Sequence, residues 1–220
     1  MKALPGRLER LPPGREEFSA AIAADDRARI LTAMSELVSR RGYRDTSLEL
    51  IQKRADVSRA TFRRYFGSRE ECFLACFADG VEGARTRIEA AARGEAEWPE
   101  QVRAGLAALL AYVVAEPAFA RVCLLEPLSI GPAGTKAYLA VLQAAAPAFL
   151  PGRQYVEDPS RLPRSLEGSI VGALVGMIRR RLERSEAEQI PGLLPTMLQF
   201  SLAPYLGAAG AGAIVAASQA

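Results

Sequence analysis

Apolar residues recur along this chain with a helical period. Beginning at Asp26, Ile30, Ala33, Met34, Leu37 and Val38 fall at i, i+3, i+4, i+7 and i+8, one stripe on one helix. Arg40 and Arg41 give that helix a basic last turn, which suits the negative end of its dipole, and Gly42 stops it. A second, short helix is predicted after Thr46 or Ser47, either of which can cap it, with Leu48, Ile51 and Ala55 facing inward. Asp56-Val57 forms a tight turn, and Ser58 caps a third helix running to about Tyr65. That helix buries Val57, Phe62 and Phe66 and turns Arg59, Ala60, Thr61, Arg63 and Arg64 outward. Ser68-Arg69-Glu70-Glu71 reads as a capping box that launches a long fourth helix, with Cys72, Phe73, Cys76 and Phe77 as its first apolar stripe.

The pattern stays helical beyond this point. Helices are predicted near 98–115, 117–126, 133–150, 160–184 and 187–206, separated by breaks at Pro117, Pro127, Gly131-Pro132 and Pro151-Gly152. Pro204 and Pro195 are expected to kink the last of them. Residues 1–25, with Pro5, Gly6, Pro12, Pro13 and Gly14 among scattered charges, read as a flexible arm, and the small-residue run 207–220 reads as a loose tail. The expectation is an all-α protein of about nine helices. It has an N-terminal three-helix helix-turn-helix domain over 26–72 and a larger helical domain over 73–206.

Charge sharpens this division. Residues 27–75 hold 11 basic and 6 acidic side chains, whereas 76–220 hold 13 and 14, so the positive excess sits on the first three helices. Such a concentration attracts a phosphate backbone. No stretch approaches the about 18 uninterrupted apolar residues that mark a membrane span, and the N-terminus lacks the apolar core of a signal peptide, which predicts a cytoplasmic protein. The chain has no histidine, so neither a Ser-His or Cys-His nucleophile pair nor a His-based metal centre can be assembled. No glycine-rich phosphate loop follows a strand, and nothing argues for an enzyme, a cofactor or a metal. Cys72 and Cys76 share a helix face at i, i+4, but with Cys123 they read as buried small hydrophobes rather than a redox or metal pair.

A short helix, a turn and a second helix with arginines on its open face fit the docking geometry in which the second helix enters the major groove. Arginine can read a guanine edge or clamp a phosphate, and hydroxyls hold phosphate oxygens. The run Gly42-Tyr43-x-x-Thr46-Ser47-Leu48-x-x-Ile51, followed by Ala55-Asp56-Val57-Ser58-x-Ala60-Thr61-Phe62-x-x-Tyr65-Phe66-x-Ser68-Arg69-Glu70, resembles the DNA-binding signature of TetR/AcrR-type transcriptional regulators over about residues 27–77. The family usually has Gly at the position of Ala60, Tyr at Arg63 and His at Tyr65. The resemblance implies a DNA face of Ser47, Ser58, Arg59, Ala60, Thr61, Arg63, Arg64, Tyr65 and Arg69, with Arg59 the main base reader and Arg69 in the usual Lys position.

The same resemblance implies that the remainder binds a small effector and dimerises, so that two recognition helices meet a roughly palindromic operator. Phe77, Trp98, Leu109, Tyr112, Val113, Phe119, Leu124, Tyr138, Leu142 and Phe149 are candidate walls of a largely apolar pocket. Gly168, Gly172 and Gly176 recur every four residues on one helix face, which costs about 1 kcal/mol each relative to Ala unless a close contact compensates. With Val171, Val175, Met197 and Phe200 they are the expected dimer interface, although internal packing would use the stripe equally well. The expectation is a ligand-released repressor and homodimer. An activator, or a protein-interaction module of the same fold without DNA binding, remains as an alternative.

Overall fold

The structure, a computed structural model, describes residues 15–218. Among the described residues every regular element is helical: α1 (Arg15–Arg41), α2 (Leu48–Ala55), α3 (Arg59–Tyr65), α4 (Arg69–Ala92), α5 (Trp98–Ala115), α6 (Pro117–Leu124), α7 (Pro132–Ala145), α8 (Leu166–Glu183) and α9 (Leu194–Ala217), with short 3₁₀ segments between them. The first helix begins at Arg15 rather than Asp26, so part of the expected arm is helical, while residues 1–14 of that arm lie outside the described residues.

Caps set the first boundaries. Gly42, at φ +79, ends α1 as its N–H reaches the Val38 carbonyl at 2.8 Å. Ser47 and Ser58 cap α2 and α3, their hydroxyl oxygens accepting from the Leu50 and Thr61 amides. Asp56 adopts a left-handed conformation after α2, and the Arg29 guanidinium donates to the Ala55 and Asp56 carbonyls left open there. At α4 the Ser68 hydroxyl accepts from the Glu71 amide, and the Glu71 carboxylate returns a bond to the Gly67 N–H at 2.7 Å.

Two hydrophobic cores form. The first joins Ile30, Met34 and Val38 of α1, Ile51 of α2, Phe62 of α3 and Phe73, Cys76 and Phe77 of α4. It also takes Val122 from α6, so packing does not stop at residue 72, where the sequence suggests a boundary. The second joins α5, α8 and α9 through Trp98, Leu106, Leu110, Ile170, Leu174, Ile178, Met197, Leu198 and Leu202. Trp98 donates to the Ala148 carbonyl at 3.0 Å and sits edge-on to Tyr205; the backbone of Gly152 fills the gap between the two rings, where a Cβ has no room.

Differences from the sequence expectation cluster after residue 145. The helix expected over 133–150 gives way to a 3₁₀ stretch, Ala146–Tyr155, in which Pro147 and Pro151 withhold backbone donors. The helix expected from 160 starts at Leu166, and 3₁₀ turns replace the first part of the one expected over 187–206. The break in α9 falls at Gly207 (φ 71, ψ 171), not at Pro204 or Pro195. Pro195 sits harmlessly in the first turn, whereas Gly207 adopts a conformation closed to other residues. The chain folds back there: the Gln199 side-chain amide donates to the Ala208 carbonyl at 3.3 Å, and Gly212 also lies beside Gln199. The expected loose tail is therefore helical to Ala217, with Ala211 fully buried; its last residues, 219–220, lie outside the described residues. The segment Pro191–Ala217 is apolar enough to cross a membrane by composition, yet the reversal at Gly207 leaves neither limb with the about 20 residues a span needs.

Candidate functional site

The open face of α3 is built by its buried one. Phe62 and Phe66 enter the first core with ring centroids 5.6 Å apart, which fixes the roll of the helix and turns Arg59, Ala60, Arg63 and Arg64 into solvent. Val57, expected to be buried, is only half-buried. Thr61 is half-buried, its hydroxyl 2.9 Å from that of Ser58, so both belong to the cap. α3 has no acidic residue in its first turn, and three arginines on seven residues leave a strongly cationic surface. The Glu49 carboxyl of α2 is held below its usual range by its own backbone N–H and the Ser47 hydroxyl, with Arg59 adding a smaller attraction. Arg27, exposed on α1, lies over the Phe66 ring at 6.0 Å and adds a cation beside the recognition helix that the sequence reading did not assign.

Two of the expected DNA contacts point inward. The Tyr65 hydroxyl is buried with no hydrogen-bond partner among the described residues, because the ring is drawn toward the core beside Phe66. Arg69 donates to the Thr46 carbonyl at 2.5 Å and the Tyr43 carbonyl at 3.3 Å, and its guanidinium stacks 4.1 Å from the Tyr43 ring. The turn between α1 and α2 supplies acceptors at the start of α4, and these take the cation in place of a phosphate.

Residues 30–76, which take in the second part of α1, all of α2 and α3 and the start of α4, match the family model of bacterial regulatory proteins, tetR family. Over that segment the chain is similar to the TetR family. No curated protein matches the sequence. Among solved structures, the fatty acid degradation regulator FadR from Bacillus halodurans superposes with a TM-score of 0.71 at 16% identity, over 88% of this chain and 97% of that one. FadR from Bacillus subtilis, in complex with stearoyl-CoA, gives 0.70 at 18% identity over 80% and 97%. RolR in complex with resorcinol gives 0.57 at 19% over 89% and 95%. At these identities the likeness is one of fold.

The rest of the chain distributes the expected pocket residues over separate places. Phe77 and Phe119 belong to the first core. Trp98, Val113 and Phe149, with Leu109, Leu124 and Leu142 packed on them, belong to the second. Tyr112 closes the α4–α5 contact, its hydroxyl donating to the Gly80 carbonyl at 3.1 Å, and Tyr138 is half-buried beside Arg179. They do not line one cavity. An open groove of about 560 Å³ runs instead between α7 with its 3₁₀ extension (Leu139, Leu142, Ala146, Leu150) and the start of α8 (Arg164, Ser165), and of the ten it holds Leu142 alone. The floor of that groove includes Glu167, only 4% exposed, whose carboxylate accepts from Arg153 Nε at 2.7 Å and from the Tyr205 hydroxyl at 3.2 Å.

The expected interface residues also divide. Gly168, Gly172 and Gly176 are exposed, and a Cβ on any of them would meet nothing within 4 Å, so internal packing does not use the stripe. Phe200, on α9, is 44% exposed. Val175 is half-buried, but Val171 and Met197 lie in the core, on the inner faces of α8 and α9.

Proposed function

We propose that this chain is a DNA-binding transcriptional repressor, acting as a homodimer on a roughly palindromic operator and released by a small, largely apolar effector. The observation that carries the reading is the outward face of α3, where Arg59, Ala60, Arg63 and Arg64 project from a helix pinned by Phe62 and Phe66. Arg59, near the N-terminal end, reads base edges; Arg63 and Arg64, with the capping hydroxyls of Ser47, Ser58 and Thr61, hold phosphates. Ala60 leaves room for close approach to the groove.

Two further features support the assembly. The outer faces of α8 and α9 carry the open glycines and Phe200, and only 22% of the most apolar part of Pro191–Ala217 is buried in the single chain. A second copy would cover that surface and set the two α3 helices about one helical turn of DNA apart. The groove beside α7 offers a concave apolar wall, and two proteins of this fold were captured with small molecules, stearoyl-CoA and resorcinol. An effector that prefers one spacing of the α3 helices shifts the equilibrium toward it, and by linkage DNA weakens effector binding by the same factor.

The test is binding to DNA from upstream of the chain's own gene, against scrambled DNA, across salt concentrations. The reading expects tight, sequence-preferring binding that weakens steeply with salt. Arg63→Ala lowers the slope of log affinity against log salt by about 1, and Arg59→Ala together with Arg63→Ala abolishes the preference. Weak binding, equal for both DNAs and indifferent to these arginines, overturns it.

A further inference from the structure

α6 has two faces, each belonging to a different core. Phe119, Val122 and Cys123 pack against the DNA-binding unit, whereas Ala120, Leu124 and Leu125 pack against the body. The helix lies across the molecule, turned by 109° from α5 at Glu116-Pro117. Continuing the first face by the same i, i+3, i+4, i+7 spacing reaches Glu126, just beyond the helix.

The Glu126 carboxylate spans 83 residues of sequence to accept the Tyr43 backbone N–H at 3.1 Å. Gly42, whose φ of +79 favours glycine, places the turn in ordinary contact with the same carboxylate: a Cβ there would sit 3.5 Å from Oε1. The other edge of Tyr43 is held too. Arg69 takes its carbonyl and stacks on its ring, and the ring meets Phe73 edge-on at 5.3 Å. Thr46 closes the turn by donating its hydroxyl to the Gly42 carbonyl at 2.8 Å, and Ser47 at once caps α2. The chain entering the two DNA-facing helices is thus gripped from the turn after α6 on its N–H side and from α4 on its C=O side.

We propose that Glu126 is a positioning residue for DNA binding: through the Tyr43 N–H it fixes the orientation of α2 and α3 relative to the body, and thereby the spacing of half-sites that the protein accepts. This rests on the dimeric regulator reading. A bond from a peptide N–H to a carboxylate is about twice as strong as a neutral one, and it is local to the turn, so its loss frees the orientation of the reading helices without touching a DNA contact.

The test uses full-length protein and a duplex that it selects itself from a randomised pool, together with derivatives whose half-sites are moved one base pair closer or farther apart. Wild type is expected to lose at least about tenfold in affinity for the displaced sites, each step displacing and rotating one half-site. Glu126→Ala flattens the difference to less than threefold, while its salt slope on the best duplex stays that of wild type. In the DNA-free protein, hydrogen exchange at the Tyr43 amide accelerates about tenfold or more, with α5 and α9 amides unchanged. Glu126→Gln, which keeps an acceptor at the same place, restores the spacing preference. Glu126→Ala with wild-type spacing preference and slow Tyr43 exchange overturns the inference. A wild-type protein that selects no duplex overturns the regulator reading, and the role of Glu126 with it; the exchange measurement then shows whether the Tyr43 bond forms at all.

Discussion

Two helices of this protein carry glycines on one face, and the structure treats them in opposite ways. On α4, a Cβ at Gly80 would lie 2.7 Å from Cys123 Sγ and 3.3 Å from Phe119, and one at Gly83 would lie 2.8 Å from the Tyr112 hydroxyl. These two glycines let α5 and α6 come down on α4. On α8, Gly168, Gly172 and Gly176 face open space. Glycine inside a helix is costly in both places. On α4 the compensating contact is within the chain, whereas on α8 it must come from another molecule or not exist. Glycines three or four residues apart mark where backbones can approach, and only neighbours show which backbone does.

Overfilling the α4 contact is the most damaging way to break this comparison. Gly80→Leu forces α6 off α4, and denaturant unfolding should show a loss of about 3 kcal/mol. A loss below about 1 kcal/mol would mean that the contact is loose.

The inner face of α8 provides the next largest effect. Glu167→Ala leaves the Arg153 guanidinium without its carboxylate, and the expected loss is about 2 kcal/mol, below that of a fully buried pair because Arg153 keeps carbonyl acceptors at Pro159, Leu162 and Pro163 and is partly exposed. The same pair predicts a pH dependence. Arg153 first, then the Glu167 backbone N–H and the Tyr205 hydroxyl, hold this carboxyl below its usual range against the cost of burial. Its contribution is complete at neutral pH and fades as pH falls below the ordinary Glu value of about 4.3 and through the lowered one. Wild-type and Glu167→Gln melting temperatures should converge in that window, and parallel curves would contradict the assignment.

On the outer face of α8 the sign reverses. Gly172→Ala and Gly176→Ala have room in the single chain and should stabilise it by up to about 1 kcal/mol each, while weakening self-association measured by sedimentation. Unchanged association would remove α8 from the interface.

The smallest effect concerns the thiols beneath α4. Burial pushes Cys72 and Cys123 up to about 12 and raises Cys76 as well. Alkylation at pH 8 should be slow in the native protein and fast in denaturant. Rapid labelling of Cys123 in the native state would show that α6 lifts from Gly80.

Local chemistry was legible wherever a cap or a stripe decided it. Ser58 and the Ser68–Glu71 box placed α3 and α4, the pair Thr46 and Ser47 placed α2 with Ser47 proving to be the cap, and the helix expected over 98–115 is α5. Chemistry that depends on distant partners was not legible. Arg69 reads as a surface cation until the carbonyls of Tyr43 and Thr46 are set beside it. Trp98 reads as a pocket wall until Gly152 fills the space against it. Tyr43 and Glu126 are separated by 83 residues, and no local pattern links them. The tail misled because its composition is that of a loop, whereas one glycine at Gly207 lets it return and pack.

Because α6 gives Val122 to one core and Ala120 to the other, the first helices and the body are not exchangeable parts. A fragment ending at residue 72 would lack Phe73, Cys76, Phe77 and Val122, and should fail to fold alone. Heating the whole chain should give one transition with matching calorimetric and van't Hoff enthalpies. Recombination that grafts a new recognition unit onto this body must also bring a surface that fits α6, so the two halves are constrained to change together.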